Sequence, residues 1–111
     1  MNTANNQEYL ERQRYDRRIG QYEEDSLTKI AARIPEGSRV LDVGTGPGSL
    51  GQYLRAEKGC SVFGIELDPE FVSVARDRYE HLFIADLNKV DLACLLKDLS
   101  FDYAVCADVL E

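Results

Sequence analysis

The chain has 111 residues, 44% of them hydrophobic and 30% charged, a balance typical of one soluble globular domain and not of a disordered or fibrous chain. No apolar run approaches the roughly 20 residues that a membrane helix needs, and the N-terminus lacks the apolar core of a signal peptide, so we expect a cytoplasmic protein. The net charge of −7 comes from residues 36–111, with fourteen acids and seven bases, and such an acidic body disfavours binding to a nucleic-acid backbone.

Two helices are predicted before the first strand, within the N-terminal segment 1–35. The first covers residues 7–20. The second begins at Asp25 or Ser26, whose side chains can accept hydrogen bonds from the first helical turn, and it ends at Ile34 because a proline follows.

Strands and helices then alternate over residues 36–111, which we expect to form the α/β core of a single domain spanning residues 1–111. Connections of this length are right-handed crossovers, so the alternation predicts a three-layer α/β fold, a parallel sheet with helices on both faces. The predicted strands are residues 39–43, 61–66, 82–85 and 101–107, and the predicted helices run from the glycines to about residue 58, from 69 to about 79 and from 92 to 99.

The segment VLDVGTGPGSLG, residues 40–51, joins the first of these strands to the next helix. Its glycines lack a Cβ where the chain turns sharply, so a ligand can lie against bare backbone. An acid, Glu66, ends the following strand. This combination is how a parallel α/β sheet holds an adenosine-like ligand. The glycines are Gly44, Gly46, Gly48 and Gly51.

Acidic side chains recur at the ends of the predicted strands. Glu66, Asp86 and Asp108 lie at or just past such ends, and Asp42 is one residue inside the end of the first strand. Because these ends share one rim of the sheet, the acids are candidate ligand-binding residues, although each could instead cap a helix or form a turn. For Glu66 the binding hypothesis is favoured, because Asp68 is the better cap and a carboxylate can accept both hydroxyls of a ribose.

The cysteines and the single histidine give no sign of a metal site. Cys60, Cys94 and Cys106 each lie in or beside an apolar segment and form no Cys-x-x-Cys pair, so we expect reduced, small core residues. His81 has no cluster of possible ligands around it in the sequence, and no metal is predicted.

With these motifs the chain resembles the class I S-adenosylmethionine-dependent methyltransferases. The resemblance covers about residues 36–111 and includes, in order, VLDVGTGPGSLG, GIELDPE, IADL at 84–87 and FDYAVCADVLE at 101–111. It implies a Rossmann-like sheet with strand order 3-2-1-4, which the family extends by later strands. We therefore expect a truncated, N-terminal part of a methyltransferase, which on its own can lack activity.

The resemblance also implies roles for the matching residues of the glycine loop. Gly44, Gly46 and Gly48, with Thr45 between them, would approach the methionine part of S-adenosylmethionine. Asp42 would help to hold that loop and the amino acid end of the cofactor. No catalytic residue is implied.

The other matching residues would hold the nucleoside. Glu66 would accept the ribose hydroxyls, and Leu67 would lie against the adenine. Asp86 would accept from the adenine amino group, while the backbone N–H of Leu87 would donate to the ring. Asp108 would lie near the methyl-transfer end.

Two alternative functions stay open at this point. Gly46, Gly48 and Gly51 satisfy the G-x-G-x-x-G pattern of NAD-type dinucleotide-binding domains, and Glu66 lies 20 residues after Gly46. Pro47 weighs against this function, because it removes one N–H donor from a loop that would face a pyrophosphate. The second alternative is a non-catalytic cofactor-binding or interaction module.

The expected partner is a small-molecule methyl acceptor, such as a metabolite or a sugar, with no nucleic acid and no membrane. The fourth predicted strand, residues 101–107, would be an apolar edge if the strand that covers it in the family is absent. We expect two copies to cover this edge in a homodimer.

Overall fold

The computed structural model describes residues 26–107, so the predicted helix at 7–20 and the candidate residue Asp108 lie outside the described part. Four α-helices and four strands alternate along these residues. They are α1 (Ser26–Arg33), β1 (Arg39–Val43), α2 (Ser49–Lys58), β2 (Ser61–Glu66), α3 (Pro69–Ala75), β3 (His81–Ile84), α4 (Leu92–Leu95) and β4 (Tyr103–Val105).

The four strands form one parallel sheet in the order β3-β2-β1-β4, which confirms the predicted order. β1 pairs with β2 from Arg39 opposite Ser61 to Val43 opposite Ile65. Right-handed crossovers place α2 and α3 on one face of the sheet and the connection containing α4 on the other. Because β1, β2 and β3 end at the same rim, the loops that follow them converge there.

The hydrophobic core lies between the sheet and the helices α1 and α2. Val40 and Val62 from the sheet and Leu54 from α2 are fully buried in it, and Leu27 attaches α1 to the same cluster. Each such aliphatic side chain contributes about 1.5–3 kcal/mol by leaving water. The core therefore fixes α2, and with it the loop that leads into α2.

A lysine holds α1 to the C-terminal end of α2. Lys58 Nζ donates to the carbonyl oxygens of Ala31 and Ile34 at 2.5 Å each. A helix leaves its last carbonyls without intrahelical partners, and this ammonium satisfies two of them. Pro35 then prevents the helix from continuing, as predicted.

The predicted ends of α2 and the predicted start of α3 are confirmed. α2 lies between Gly48 and Gly59, both in the left-handed region with φ of 94° and 60°. α3 begins after Asp68, whose carboxylate accepts a hydrogen bond from the Glu70 N–H at 2.9 Å, with Pro69 in its first turn.

Two helices are shorter than predicted. α3 ends at Ala75 and continues as a 3₁₀ turn over Arg76–Arg78, so the predicted end near residue 79 is wrong. Tyr79 is extended instead of helical because its ring is buried against the glycine loop. The predicted helix over 92–99 ends at Leu95, because Leu96 leaves helical dihedral angles at φ −105° and ψ 20°.

Two strands also differ from their predicted bounds. β3 begins and ends one residue earlier than predicted, and β4 covers only the central part of the predicted 101–107. β4 pairs with β1 on one side only, which limits the ladder. Phe101 lies outside the ladder because its ring packs on Phe63, with centroids 5.6 Å apart.

The expected core position of the cysteines is correct for one of the three. Cys60 is buried in the main cluster, whereas Cys94 and Cys106 are exposed, so the prediction is wrong for these two. Cys94 lies in α4, a helix without buried residues, and Cys106 follows the edge strand β4. Cys60 is enclosed in the core between the sheet and the helices, whereas Cys94 and Cys106 lie outside that core.

Candidate functional site

A glycine loop connects the end of β1 to the start of α2. Gly44, Gly46 and Gly48 all have positive φ, at 72°, 57° and 94°, a region that side chains with a Cβ rarely adopt. The N–H groups of Gly44 and Thr45 donate to the carbonyl oxygen of Ile65 at 2.8 and 3.2 Å. The loop is thereby attached to the end of β2.

The Glu66 carboxylate lies against this loop. Its Oε1 accepts from the Gly46 N–H at 2.7 Å, and its Oε2 accepts from the N–H groups of Leu67 and Asp68 at 3.0 and 3.1 Å. A carboxylate has about four lone-pair positions, so these three donors leave about one. Glu66 therefore connects the ends of β1 and β2 in one hydrogen-bonded unit.

A cleft of about 360 Å³ opens beside this unit, within the range of about 300–1,000 Å³ for small-molecule sites. It brings together five of the predicted site residues, from the ends of all three strands that meet at this rim. Both Glu66 and Asp86 contribute carboxylates to it. The lining residues are Gly44, Ile65, Glu66, Leu67, Ala85, Asp86, Leu87 and Asn88.

Asp86 also shapes the turn that follows β3. Its Oδ1 accepts from the Asn88 N–H at 2.9 Å, and its carbonyl oxygen accepts from the N–H groups of Lys89 and Val90 at 3.0 and 2.9 Å. The turn-forming role that the sequence left open for Asp86 is thus present. It uses one of the two carboxylate oxygens and is compatible with a position in the cleft.

Four of the predicted residues do not line the cleft. Gly46 is buried and meets it only through the hydrogen bond of its N–H to Glu66, and the other three lie behind it. Asp42 is 2% exposed and accepts a hydrogen bond from the Tyr79 hydroxyl at 2.5 Å. Thr45 is buried, and its hydroxyl donates to the Gly46 carbonyl oxygen at 2.8 Å. Gly48 forms the turn into α2 with its N–H donating to the Thr45 carbonyl oxygen at 3.2 Å. These residues support the loop from inside.

Sequence reasoning missed Tyr79, which lies at the centre of that support. A Cβ at Gly51 would lie 2.4 Å from its ring, and one at Gly48 would lie 2.9 Å from it. Burial raises the pKa of Tyr79 well above the usual range of a phenol, and the Asp42 charge raises it further, so the hydroxyl stays protonated and donates. Gly51 was the available signal. A glycine in the interior of a helix lowers helix stability, so its presence there indicates that a neighbouring side chain needs the space.

A second, larger cavity of about 520 Å³ lies on the other side of Leu67. It runs between α3 and the end of β3, where Val72 and Ile84 give it an apolar wall and Arg76 its one charged group. The glycine loop and the two carboxylates converge on the smaller cleft, so that cleft is the candidate site.

Residues 26–107 contain no cluster of three or more His, Cys, Asp and Glu side chains arranged to bind a metal ion. Within the same residues, no helix has the length and apolarity to cross a bilayer.

A parallel sheet of this order, with a glycine loop after β1 and an acid at the end of β2 that contacts it, is typical of Rossmann-like domains. Comparison with known proteins places this domain among the class I S-adenosylmethionine-dependent methyltransferases. The chain belongs to the family described as "Methionine biosynthesis protein MetW", which matches residues 24–111.

Several similar proteins are named as methyltransferases. A ubiquinone biosynthesis O-methyltransferase from Xanthomonas axonopodis pv. citri is 38% identical over 89 residues, which are 77% of this chain and 37% of that protein. The solved TehB-like SAM-dependent methyltransferase from Corynebacterium glutamicum superposes with a TM-score of 0.62 at 28% identity, over 96% of this chain and 56% of that one.

A second solved structure is a SAM-dependent methyltransferase from Thiobacillus denitrificans in complex with S-adenosyl-L-homocysteine. It has a TM-score of 0.59 and 26% identity, over 88% of this chain and 42% of that one. This chain spans about a third of the length of the curated relatives that it matches.

Proposed function

We propose that this chain is the S-adenosylmethionine-binding part of a methyltransferase. The observation that carries the proposal is the Glu66 carboxylate at the end of β2, hydrogen-bonded to the Gly46 N–H of the neighbouring strand's loop and facing a cleft. The solved neighbour that contains S-adenosyl-L-homocysteine shares this fold over 88% of the chain.

The chemistry of the cleft fits the nucleoside end of this cofactor. Carboxylates from Glu66 and Asp86 can accept from ribose hydroxyls and from the adenine amino group. Leu67 and Leu87 provide apolar contact for a planar ring, and Leu67 is 50% exposed, so it gains by being covered.

Glu66 already accepts three amide hydrogen bonds, so its predicted role has a structural consequence. About one lone pair is left, and two ribose hydroxyls would need two. Ligand binding would therefore replace one amide contact, either that of Leu67 or that of Asp68, while the Gly46 contact keeps the loop in place.

The cofactor supplies a methyl group on a cationic sulfonium, and an acidic rim suits that charge. The chain's own part is to bind the nucleoside, orient it along the rim and hold the glycine loop. Asp42, Thr45 and Gly48 serve this last purpose from behind the loop. The role of Asp108 near the methyl-transfer end stays a prediction, because that residue lies outside the described part.

A small-molecule acceptor is part of the proposal. The excess of acids over bases in residues 36–111 disfavours nucleic acid, and the Xanthomonas relative is named for ubiquinone biosynthesis. Acceptor specificity would lie largely outside this chain, since it spans about a third of the curated relatives that it matches.

A calorimetric titration of the chain with S-adenosyl-L-homocysteine and, separately, with NADH tests the proposal. We expect saturable one-to-one binding of the first and none of the second. Pro47, which has no N–H, and the buried Asp42 charge behind the loop both disfavour a pyrophosphate there. Binding of NADH alone would establish the dinucleotide alternative, and binding of neither would leave the interaction-module alternative.

Pairing of two copies through β4 is the second part of the proposal. β4 lies at one edge of the sheet, Tyr103 is 41% exposed, and Ala104 is also exposed. An edge strand without charged or proline protection presents unpaired backbone groups to another chain. Two such edges can pair with each other.

Light scattering over a range of protein concentrations tests the pairing. We expect a dimer at high concentration and a shift towards monomer for Tyr103→Lys, because a charge on an edge strand opposes pairing. Ile84→Lys is the matched control, because it places the same charge on the opposite edge, β3. A wild-type chain that stays monomeric at every concentration would contradict the homodimer.

A further inference from the structure

Tyr79 contacts the glycine loop from beneath through a single buried side chain. It is 4% exposed, it follows the 3₁₀ turn in an extended conformation, and its hydroxyl donates to Asp42 Oδ2 at 2.5 Å. Asp42 lies 37 residues earlier in the chain, at the end of β1. One hydrogen bond therefore connects the segment after α3 to the strand that leads into the loop.

Three glycines surround the Tyr79 ring. An added Cβ would lie 2.4 Å from Cζ at Gly51, 2.9 Å from Cε2 at Gly48 and 3.1 Å from Cδ1 at Gly64. Real Cβ atoms essentially never come closer than 3.0 Å to another heavy atom, so two of the three positions exclude a larger residue while the ring stays in place. The ring thus occupies the space that side chains from the loop and from α2 would otherwise fill, whereas at Gly64 in β2 the nearest atom is Thr45 Cγ2 at 2.5 Å.

The preceding residue contacts the same loop. Arg78 Nη1 donates to the carbonyl oxygen of Pro47 at 3.1 Å in a part-buried position. Arg78 therefore contacts the backbone of the loop at Pro47, while the Tyr79 ring contacts Gly48 in the loop and Gly51 in α2. By comparison, the described residues predicted to contact the nucleoside line the cleft; they are Glu66, Leu67, Asp86 and Leu87.

We propose that Tyr79 is a positioning residue, which holds the glycine loop in its ligand-binding shape through Asp42 and through the contact of its ring with Gly48 and Gly51. The inference rests on the proposed function, because the loop is positioned for the cofactor. A loop that is already ordered does not lose conformational freedom when the ligand binds, so the ligand binds more tightly. The Asp42 carboxylate is buried and depends on its hydrogen-bond donors to stay there.

The decisive variant is Tyr79→Phe, which keeps the ring in its place and removes only the hydroxyl. Amide hydrogen exchange of the ligand-free protein measures the loop directly. We expect the Gly48 and Gln52 amides, which donate to Thr45 and Gly48, to exchange about tenfold faster in the variant, while the Cys60 amide at the far end of α2 is unchanged. A merely structural role would accelerate all three amides equally.

The affinity for S-adenosyl-L-homocysteine is the second measurement. We expect Tyr79→Phe to weaken it about tenfold, at a temperature where the variant is fully folded. Asp42→Ala, which removes the acceptor of this hydrogen bond, should weaken it at least as much, and the double variant by little more than Asp42→Ala alone, because Tyr79→Phe removes a bond that is then already absent. Tyr53→Phe is the matched control, since it removes the hydroxyl of a partly buried tyrosine that packs on the same core.

The outcomes separate this inference from the proposed function. Equal exchange rates at Gly48 in the wild type and in Tyr79→Phe would overturn the positioning role, whether or not any ligand binds. A wild-type chain that binds no S-adenosyl-L-homocysteine would overturn the proposed function, while the exchange data would still decide the role of Tyr79. An unchanged affinity in Tyr79→Phe, with normal binding by the wild type, would overturn the inference alone.

Discussion

The Glu66→Ala variant is expected to bind S-adenosyl-L-homocysteine about 100-fold more weakly than the wild-type chain. Hydrogen bonds to a charged acceptor contribute about 1.5–3 kcal/mol each, and the substitution removes those predicted to the ribose. It also removes the acceptor of the Gly46 N–H, so the loop loses one of its attachments to the end of β2, while the backbone bonds of Gly44 and Thr45 to Ile65 remain. Isothermal titration well below the unfolding temperature measures the affinity.

A neighbouring carboxylate provides the matched control for this variant. Asp68→Ala removes an acid two residues away, whose Oδ1 caps α3 through the Glu70 N–H and does not line the cleft. We expect Asp68→Ala to lower the free energy of unfolding by about 1 kcal/mol and to leave the affinity unchanged. Equal affinities for the wild type and Glu66→Ala would remove the carboxylate from the binding site.

Local sequence signals predicted most of the elements around the site. The bounds of β1 and β2 agree with the prediction at Arg39–Val43 and Ser61–Glu66, because each apolar run is enclosed by residues that interrupt regular structure. Gly59 and Pro69 are two of these residues. Once β1 and β2 pair as parallel neighbours, the glycine loop after β1 and Glu66 at the end of β2 lie at the same rim of the sheet.

The contacts that support the loop from behind were not predictable in this way. Tyr79 meets Asp42 across 37 residues of chain and meets Gly51 across 28, so no local pattern connects them. The sequence predicts that these glycines leave room for a ligand, whereas an added side chain at Gly48 or Gly51 would meet the tyrosine ring. The amide contacts of Glu66 were also missed, because the sequence shows that a carboxylate is present but not which donors surround it.

Gly51→Ala is expected to destabilise the fold by about 2 kcal/mol, the opposite of the usual effect of this change. Inside a helix, replacing glycine by alanine normally stabilises by about 1 kcal/mol. Here the new Cβ would lie 2.4 Å from Cζ of Tyr79, and the ring is fixed by burial and by its bond to Asp42. Overpacking costs about 1–3 kcal/mol, and a contact as short as 2.4 Å calls for the upper end of that range, so the net loss after the gain in helix propensity is about 2 kcal/mol. Urea unfolding monitored by circular dichroism measures the change.

The cause of this loss can be separated from any general effect on α2. Gln52→Ala changes the next residue of the same helix, which is exposed, and should leave the free energy of unfolding nearly unchanged. In a Tyr79→Leu background, Gly51→Ala should cost much less, because the smaller side chain leaves room for the Cβ. A Gly51→Ala variant that is as stable as the wild type, or more stable, would show that the ring does not occupy the space above Gly51. The proposal that Tyr79 supports the loop would then be wrong.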